Sequence, residues 1–100
     1  MIVNIQSNEV LLNEKSHQQI IRKIKLGLTR LEPYIKTLSI DLSIDSSFED
    51  ANYTHCRLTI TAIDMPNIII EDTQIKLSFV IDRVIQKAIR MMNRKLERNK

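Results

Sequence analysis

Six cations, Lys76, Arg83, Lys87, Arg90, Arg94 and Arg98, recur near the C-terminus at spacings of seven, four, three, four and four residues. At roughly 100° per residue of α-helix they fall in a sector roughly 80° wide, nearly opposite an apolar stripe, and form a row about 33 Å long. Such a row suits one kind of chemistry, the neutralisation of closely spaced phosphates on a polyanion. Arginine outnumbers lysine in it. The planar guanidinium binds phosphate bidentately and is weakly hydrated, so this choice favours phosphate recognition. An earlier helical stretch repeats the pattern less strictly with Lys15, Arg22, Lys23, Lys25 and Arg30. The outward face of an amphipathic helix is most often a merely solvated surface, but such a face mixes signs, and only Asp82 and Glu97 interrupt the second row. Leu26 projects near the basic sector of the first helix, whereas Phe79 is expected to tuck beneath the start of the second.

Other chemistries find little support. His17 falls on the apolar side of its helix and reads as half-buried or capping. His55 and Cys56 are adjacent in an alternating segment, so they point to opposite faces and cannot share one metal ion without a bulge. Cys56 reads as core, its thiol a small hydrophobe. Asp41, Asp45, Glu49 and Asp50 could suggest a cation site, yet the first two alternate with serine as the wet face of a sheet does. Gly27 is the single glycine, so there is no glycine-rich phosphate loop. No catalytic constellation, cofactor site or metal site is expected. A membrane is the other polyanion a basic helix could meet, but here the apolar stripe is needed for the core.

The elements that must position these cations follow from periodicity. Ile2 to Ser7 reads as a short strand. A helix then runs from the N-cap Asn13, with Glu14 in its first turn, to about Glu32, with a core stripe of Ile20, Ile24, Leu28, Leu31 and Ile35. Pro33 either ends it or kinks its last turn. Leu38, Ile40, Leu42 and Ile44 alternate with Ser39, Asp41, Ser43 and Asp45, a strand with one buried and one wet face. A polar turn over 46–52 leads to a second alternating run, with Cys56, Leu58, Ile60 and Ala62 inward and His55, Arg57, Thr59 and Thr61 outward. Asp64 to Asn67 turns the chain into a fourth strand beginning Ile68-Ile69-Ile70. From about Gln74 the helical period returns, with Leu77, Ile81, Val84, Ile85, Ala88, Ile89, Met92 and Leu96 as its stripe. The expected fold is α+β, a two-layer sandwich in the order β-α-β-β-β-α, whose four-stranded sheet carries both helices on one face. Two neighbouring helices would merge their basic rows.

At 100 residues, 43% hydrophobic and 27% charged, the chain is an ordinary globular domain, and residues 1–100 are expected to form one. The net charge of +3 is modest but sorted. Residues 11–36 hold six Lys/Arg against two acids, 37–75 hold Arg57 against seven acids, and 76–100 hold eight Lys/Arg against two acids. One basic and one acidic surface are predicted. Apolar runs are too short to cross a bilayer, the N-terminus lacks the apolar stretch of a signal peptide, and one cysteine makes no internal disulfide. A cytoplasmic location is expected.

In this order and spacing the chain resembles the ribosome hibernation-promoting factor family, the short ribosome-associated translation inhibitors once linked to sigma-54 modulation. Arg30-Leu31-Glu32-Pro33-Tyr34-Ile35 is similar to the family's Lys-Leu-Glu-x-Tyr-Phe helix end, and Ile81-Asp82 with Lys87 and Arg90 resembles its Ala-Ile-Asp and Asp-Lys-Leu-x-Arg-Gln pattern. The chain departs at Ser7-Asn8-Glu9, where the family has a basic turn, at Gly27, where it often has lysine, and at Lys76-Leu77-Ser78, where Asp-Met-Tyr is usual. The resemblance implies a non-enzymatic protein, and a monomer is expected when it is free. Such a protein binds the small ribosomal subunit and its rRNA near the decoding region, fills the channel used by messenger and transfer RNA, and holds ribosomes idle in starvation. The C-terminal Arg94 to Lys100, with no acidic tail or second domain after it, looks like the short form, which acts with a ribosome modulation factor to form inactive ribosome dimers.

Applied to this sequence, the RNA-binding set is Arg22, Lys23, Lys25, Arg30, Lys76, Arg83, Lys87, Arg90, Arg94 and Arg98. Charge reversal at Arg83, Lys87, Arg90 and Arg94 is expected to abolish small-subunit binding. Two other readings stay open. One is a generic double-stranded RNA-binding module, against which stands the missing lysine-rich helix start after a basic loop. The other is a protein-interaction regulator that uses the acidic sheet face.

Overall fold

The side chain of Asn13 accepts a hydrogen bond from the Ser16 N–H at 2.7 Å and caps the first helix where the sequence places its start. A computed structural model of the chain describes residues 1–8, 10, 12–46 and 52–98. Along them run β1 (Ile2–Ser7), α1 (Glu14–Gly27), a 3₁₀ segment (Thr29–Tyr34), β2 (Ile35–Asp45), β3 (Tyr53–Ala62), β4 (Ile68–Gln74) and α2 (Leu77–Arg98). Glu9, Glu49, Asp50, Asn99 and Lys100 lie outside the described residues, as does most of the expected turn before β3.

The first helix ends earlier than expected. Its last turn closes where the Leu28 N–H meets the Ile24 carbonyl, and the Thr29 hydroxyl donates to the Lys25 carbonyl at 2.6 Å. Pro33 has no N–H and its ring clashes with a carbonyl four residues back, so an α-helix cannot run through it, and the chain tightens to 3₁₀ there. Ile35, placed by spacing on the helix stripe, is instead the first residue of β2. It is buried all the same, at 3% exposure. Burial alone does not tell the last turn of a helix from the first residue of a strand.

The sheet has strand order β1-β2-β3-β4, with β1 parallel to β2 and the remaining pairs antiparallel. Parallel neighbours need a crossover, and α1 supplies it. A register shift between Ile35 and Thr37 leaves Lys36 unpaired at the start of β2. From there the alternation holds: Leu38, Ile40, Leu42, Cys56, Leu58, Ile60, Ala62, Ile68 and Ile70 are buried. They join Ile20, Ile24 and Leu28 of the α1 region and Val80, Ile81, Val84, Ile85, Ala88 and Met92 of α2 in one core, so both helices cover one sheet face and the other is open. The second helix begins at Leu77 rather than Gln74, because Gln74 is still paired with Thr54 of β3.

Cys56 sits in this core opposite Asp72, fully buried. Burial, and then the charges of Asp41 and Asp72, push its thiol up to about 12. Since the thiolate is the reactive species, iodoacetamide at pH 8 is expected to leave the native protein unmodified and to label it fully in denaturant. Stoichiometric labelling of the native state would mean that this part of the core opens.

Candidate nucleic-acid interface

The basic row of α2 is present as a row, but its two halves differ. Ile68 and Ile70 point into the core, and the same parity aims Asp72 under α2, with a side chain only 13% exposed. A carboxylate there must be answered by a cation. Arg83 answers it, its Nε donating to Oδ2 at 2.6 Å, and Lys87 places Nζ 3.4 Å from the same oxygen. The Thr73 N–H donates to the other oxygen at 2.8 Å. Burial alone would raise the pKa of Asp72; the hydrogen bonds from Arg83 and Thr73 and the charge of Lys87 outweigh it and hold the carboxyl below its ordinary 3.8. A carboxyl depressed in the folded state stabilises above its unfolded value, and that contribution is lost as pH falls through the folded one. Wild-type unfolding temperature is therefore expected to drop more steeply than that of Asp72→Asn as pH falls below 3.8; parallel curves would show that the cluster adds nothing to stability.

Beyond this cluster Arg90, Arg94 and Arg98 continue along about 12 Å of helix. All three are exposed and have no ion-pair partner among the described residues. Lys76, at the other end, lies 5.5 Å from the centroid of the Phe79 ring. Phe79 is 50% exposed and so projects beside the row, not beneath the helix start as expected. The lysine head occupies the ring face in a cation–π contact, which leaves Phe79 little reason to fold inward.

The α1 cations form a separate group. Lys15, Arg22 and Lys25 are exposed around a shallow hollow that Leu26, at 73% exposure, also lines, and Arg30 is exposed on the 3₁₀ segment. Lys23 instead sits in the seam between the helices, its Nζ 3.0 Å from Asp82. Gly27 faces Ile85 and Ile89 across the same seam. Arg83 reaches β4 while Asp82 reaches α1, so the α2 row lies on the flank turned away from α1. The two basic rows flank a neutralised seam and do not merge.

Sequence comparison finds no matching protein family and no match among curated proteins. Solved structures do match. A ribosomal subunit interface protein from Coxiella burnetii superposes with a TM-score of 0.79 over 97% of this chain and 99% of that one, at 10% identity. The chain has the fold of a ribosomal subunit interface protein. The N-terminal domain of Protein Y from Thermus thermophilus matches with a TM-score of 0.72 over 94% of this chain and 98% of that one, at 13% identity. Both agree in fold with the family resemblance drawn from sequence. Identity this low carries the fold and leaves the contacts to be argued from this chain's own side chains.

On this interface-protein fold the open sheet face carries Asp41, Asp45 and Glu71 beside Arg57 and His55. Arg57 donates from Nε to Glu71 at 3.1 Å, and the Nε2 of His55 lies 3.1 Å from the same oxygen. These two hydrogen bonds, His55 first and Arg57 second, hold the Glu71 carboxyl below its usual range. With Asp41 and Ser43 the three line a hollow of about 230 Å³. Among the described residues no group of three or more His, Cys, Asp or Glu is placed to hold a metal ion. No helix among them is long and apolar enough to cross a membrane. Asp72 is the residue that sequence reasoning missed. The signal was available, since the parity of Ile68 and Ile70 sends it inward, where a carboxylate needs cations from the helix above.

Proposed function

We propose that the protein binds the small ribosomal subunit near its decoding region, laying the basic flank of α2 on ribosomal RNA, and so holds the ribosome idle without catalysing a reaction. The observation that carries this reading is the run Arg90, Arg94 and Arg98 along one helix, exposed and without an ion-pair partner among the described residues, in a fold shared with a ribosomal subunit interface protein. A fixed cationic row binds by releasing the counterions condensed on the phosphate backbone, so it recognises the shape of structured RNA without reading its sequence. Lys76 extends the row at one end, and Arg22, Lys25 and Arg30 offer a second contact from α1. Among the described residues the open sheet face offers no comparable row of cations, since its one arginine, Arg57, is engaged with Glu71.

The test is co-sedimentation of the purified protein with isolated small ribosomal subunits across a salt series. Binding that weakens steeply as salt rises supports the reading, and its absence at low salt overturns it. Equal binding to any naked RNA duplex would reduce the protein to a generic double-stranded RNA module. Capture that is indifferent to ribonuclease and to salt would move the contact to the sheet face and a protein partner.

A further inference from the structure

Two of the six cations in the α2 row are held by the protein itself. Arg83 and Lys87 converge on one oxygen of Asp72, at 2.6 and 3.4 Å. We propose that Asp72 is an internal counter-anion that withholds Arg83 and Lys87 from RNA and thereby sets the protein's affinity and salt dependence. The inference rests on the RNA-binding reading above and names the residue that tunes it.

Three features favour withholding over simple exchange of partners. An exposed ion pair is worth about 0 to 1 kcal/mol and opens easily. Asp72, however, lies beneath the helix with its side chain 13% exposed, while Arg83 is 54% and Lys87 35% exposed. Drawing both cations outward would strand a carboxylate in poor contact with water, which costs more than opening a surface pair. Lys87 has a single charged nitrogen, and that atom is the one engaged. A phosphate close enough to meet either cation would also face the carboxylate. The three groups together carry +1, where Arg83 and Lys87 without Asp72 would carry +2. The opposite role, in which Asp72 braces the Arg83 guanidinium for phosphate, predicts effects of opposite sign.

Binding of a fluorescently labelled RNA hairpin with an A-form stem would be measured across a salt series, with small subunits in parallel, for wild type, D72N, R83Q/K87Q and the triple variant. Asparagine retains the oxygen that accepts the Thr73 N–H, and thermal unfolding confirms that each variant folds. D72N is expected to tighten binding and steepen the log K against log salt slope by about 0.7 to 0.9 per phosphate newly met, roughly five- to eightfold in affinity for each near 0.1 M salt. R83Q/K87Q is expected to leave the slope near the wild-type value, and it decides the matter alone should D72N fail to fold. In that background the D72N effect should shrink to the small gain from removing one negative charge. Unchanged or weaker binding by D72N, a slope lowered by about 2 in R83Q/K87Q, or a D72N effect undiminished in the triple variant would overturn the inference. Hairpin binding without subunit binding removes the ribosomal reading alone and still decides the role of Asp72. Absence of both removes the two together.

Discussion

Replacing Arg90, Arg94 and Arg98 together by glutamate is expected to weaken binding to the small ribosomal subunit by two to three orders of magnitude near 0.1 M salt. Each phosphate left without its arginine takes about 0.7 to 0.9 off the salt slope, a factor of roughly five to eight at that concentration. Three such factors multiply to roughly a hundred- to fivehundredfold, and the reversed charges add repulsion. The fold should survive, because all three side chains are exposed and unpaired among the described residues. Surface changes of this kind usually shift stability by about 0.5 kcal/mol or less. Arg98 is the exception, since it lies in the last turn of α2, where a negative charge opposes the helix dipole by about 0.3 to 1 kcal/mol. A parallel variant with glutamine at position 98 separates that effect from weakened binding. Sedimentation that is unaffected in a folded variant would remove this flank from the interface and direct attention to Arg22, Lys25 and Arg30 of the α1 region.

The choice of these three arginines differs from the four-residue reversal that the sequence suggests, Arg83, Lys87, Arg90 and Arg94. Reversing Arg83 and Lys87 would set two new carboxylates beside Asp72. Weaker binding could then reflect a disturbed packing of α2 on β4 as readily as a missing phosphate partner.

The layout was legible because it rests on two periods that differ sharply. Alternation from Leu38 to Asp45 and from His55 to Ala62 admits one burial pattern, and the stripe from Leu77 to Leu96 admits another; the sheet and both helices follow. Ile35 was misplaced because a hydrophobic residue at helical spacing after Pro33 is buried in either conformation. Helical angles put the α2 cations on one flank of that helix, but Arg30, expected on the first helix, lies on the 3₁₀ segment. They do not say how the helices are rotated on the sheet, and that rotation sends Lys23 to Asp82 and Arg83 to Asp72 instead of into one merged surface. The charge blocks overstate the acidic surface in the same way. A stretch holding seven acids against one arginine reads as an acidic surface, whereas Asp72 of that stretch faces the opposite layer and Glu71 is matched by His55 and Arg57.

Gly27→Ala is expected to destabilise the fold by roughly 1 to 2 kcal/mol, although alanine is the better helix former. A Cβ built at Gly27 would lie 2.7 Å from Cγ2 of Ile85, with Ile89 Cδ1 next at 4.0 Å. Cγ2 is attached directly to the branched Cβ of a residue 6% exposed, so it cannot swing aside as the end of a long chain could. Overpacking of this kind costs about 1 to 3 kcal/mol. Against it stands at most about 1 kcal/mol of helix propensity, and less than that at the last residue of α1. The helices can relieve the clash only by parting, which loosens Ile20 and Ile24 from the core. For a domain of this size the unfolding temperature should fall by about 4 to 8 °C per kcal/mol. Ile85→Leu supplies the check, because leucine has no Cγ2, and such a volume-conserving change costs less than about 1.5 kcal/mol by itself. If the clash is the cause, G27A/I85L will be more stable than the sum of the single effects predicts, by about 0.5 kcal/mol or more. Strict additivity, or a gain in stability from G27A alone, would show that the seam has room to spare and that glycine there does not set the approach of α1 to α2.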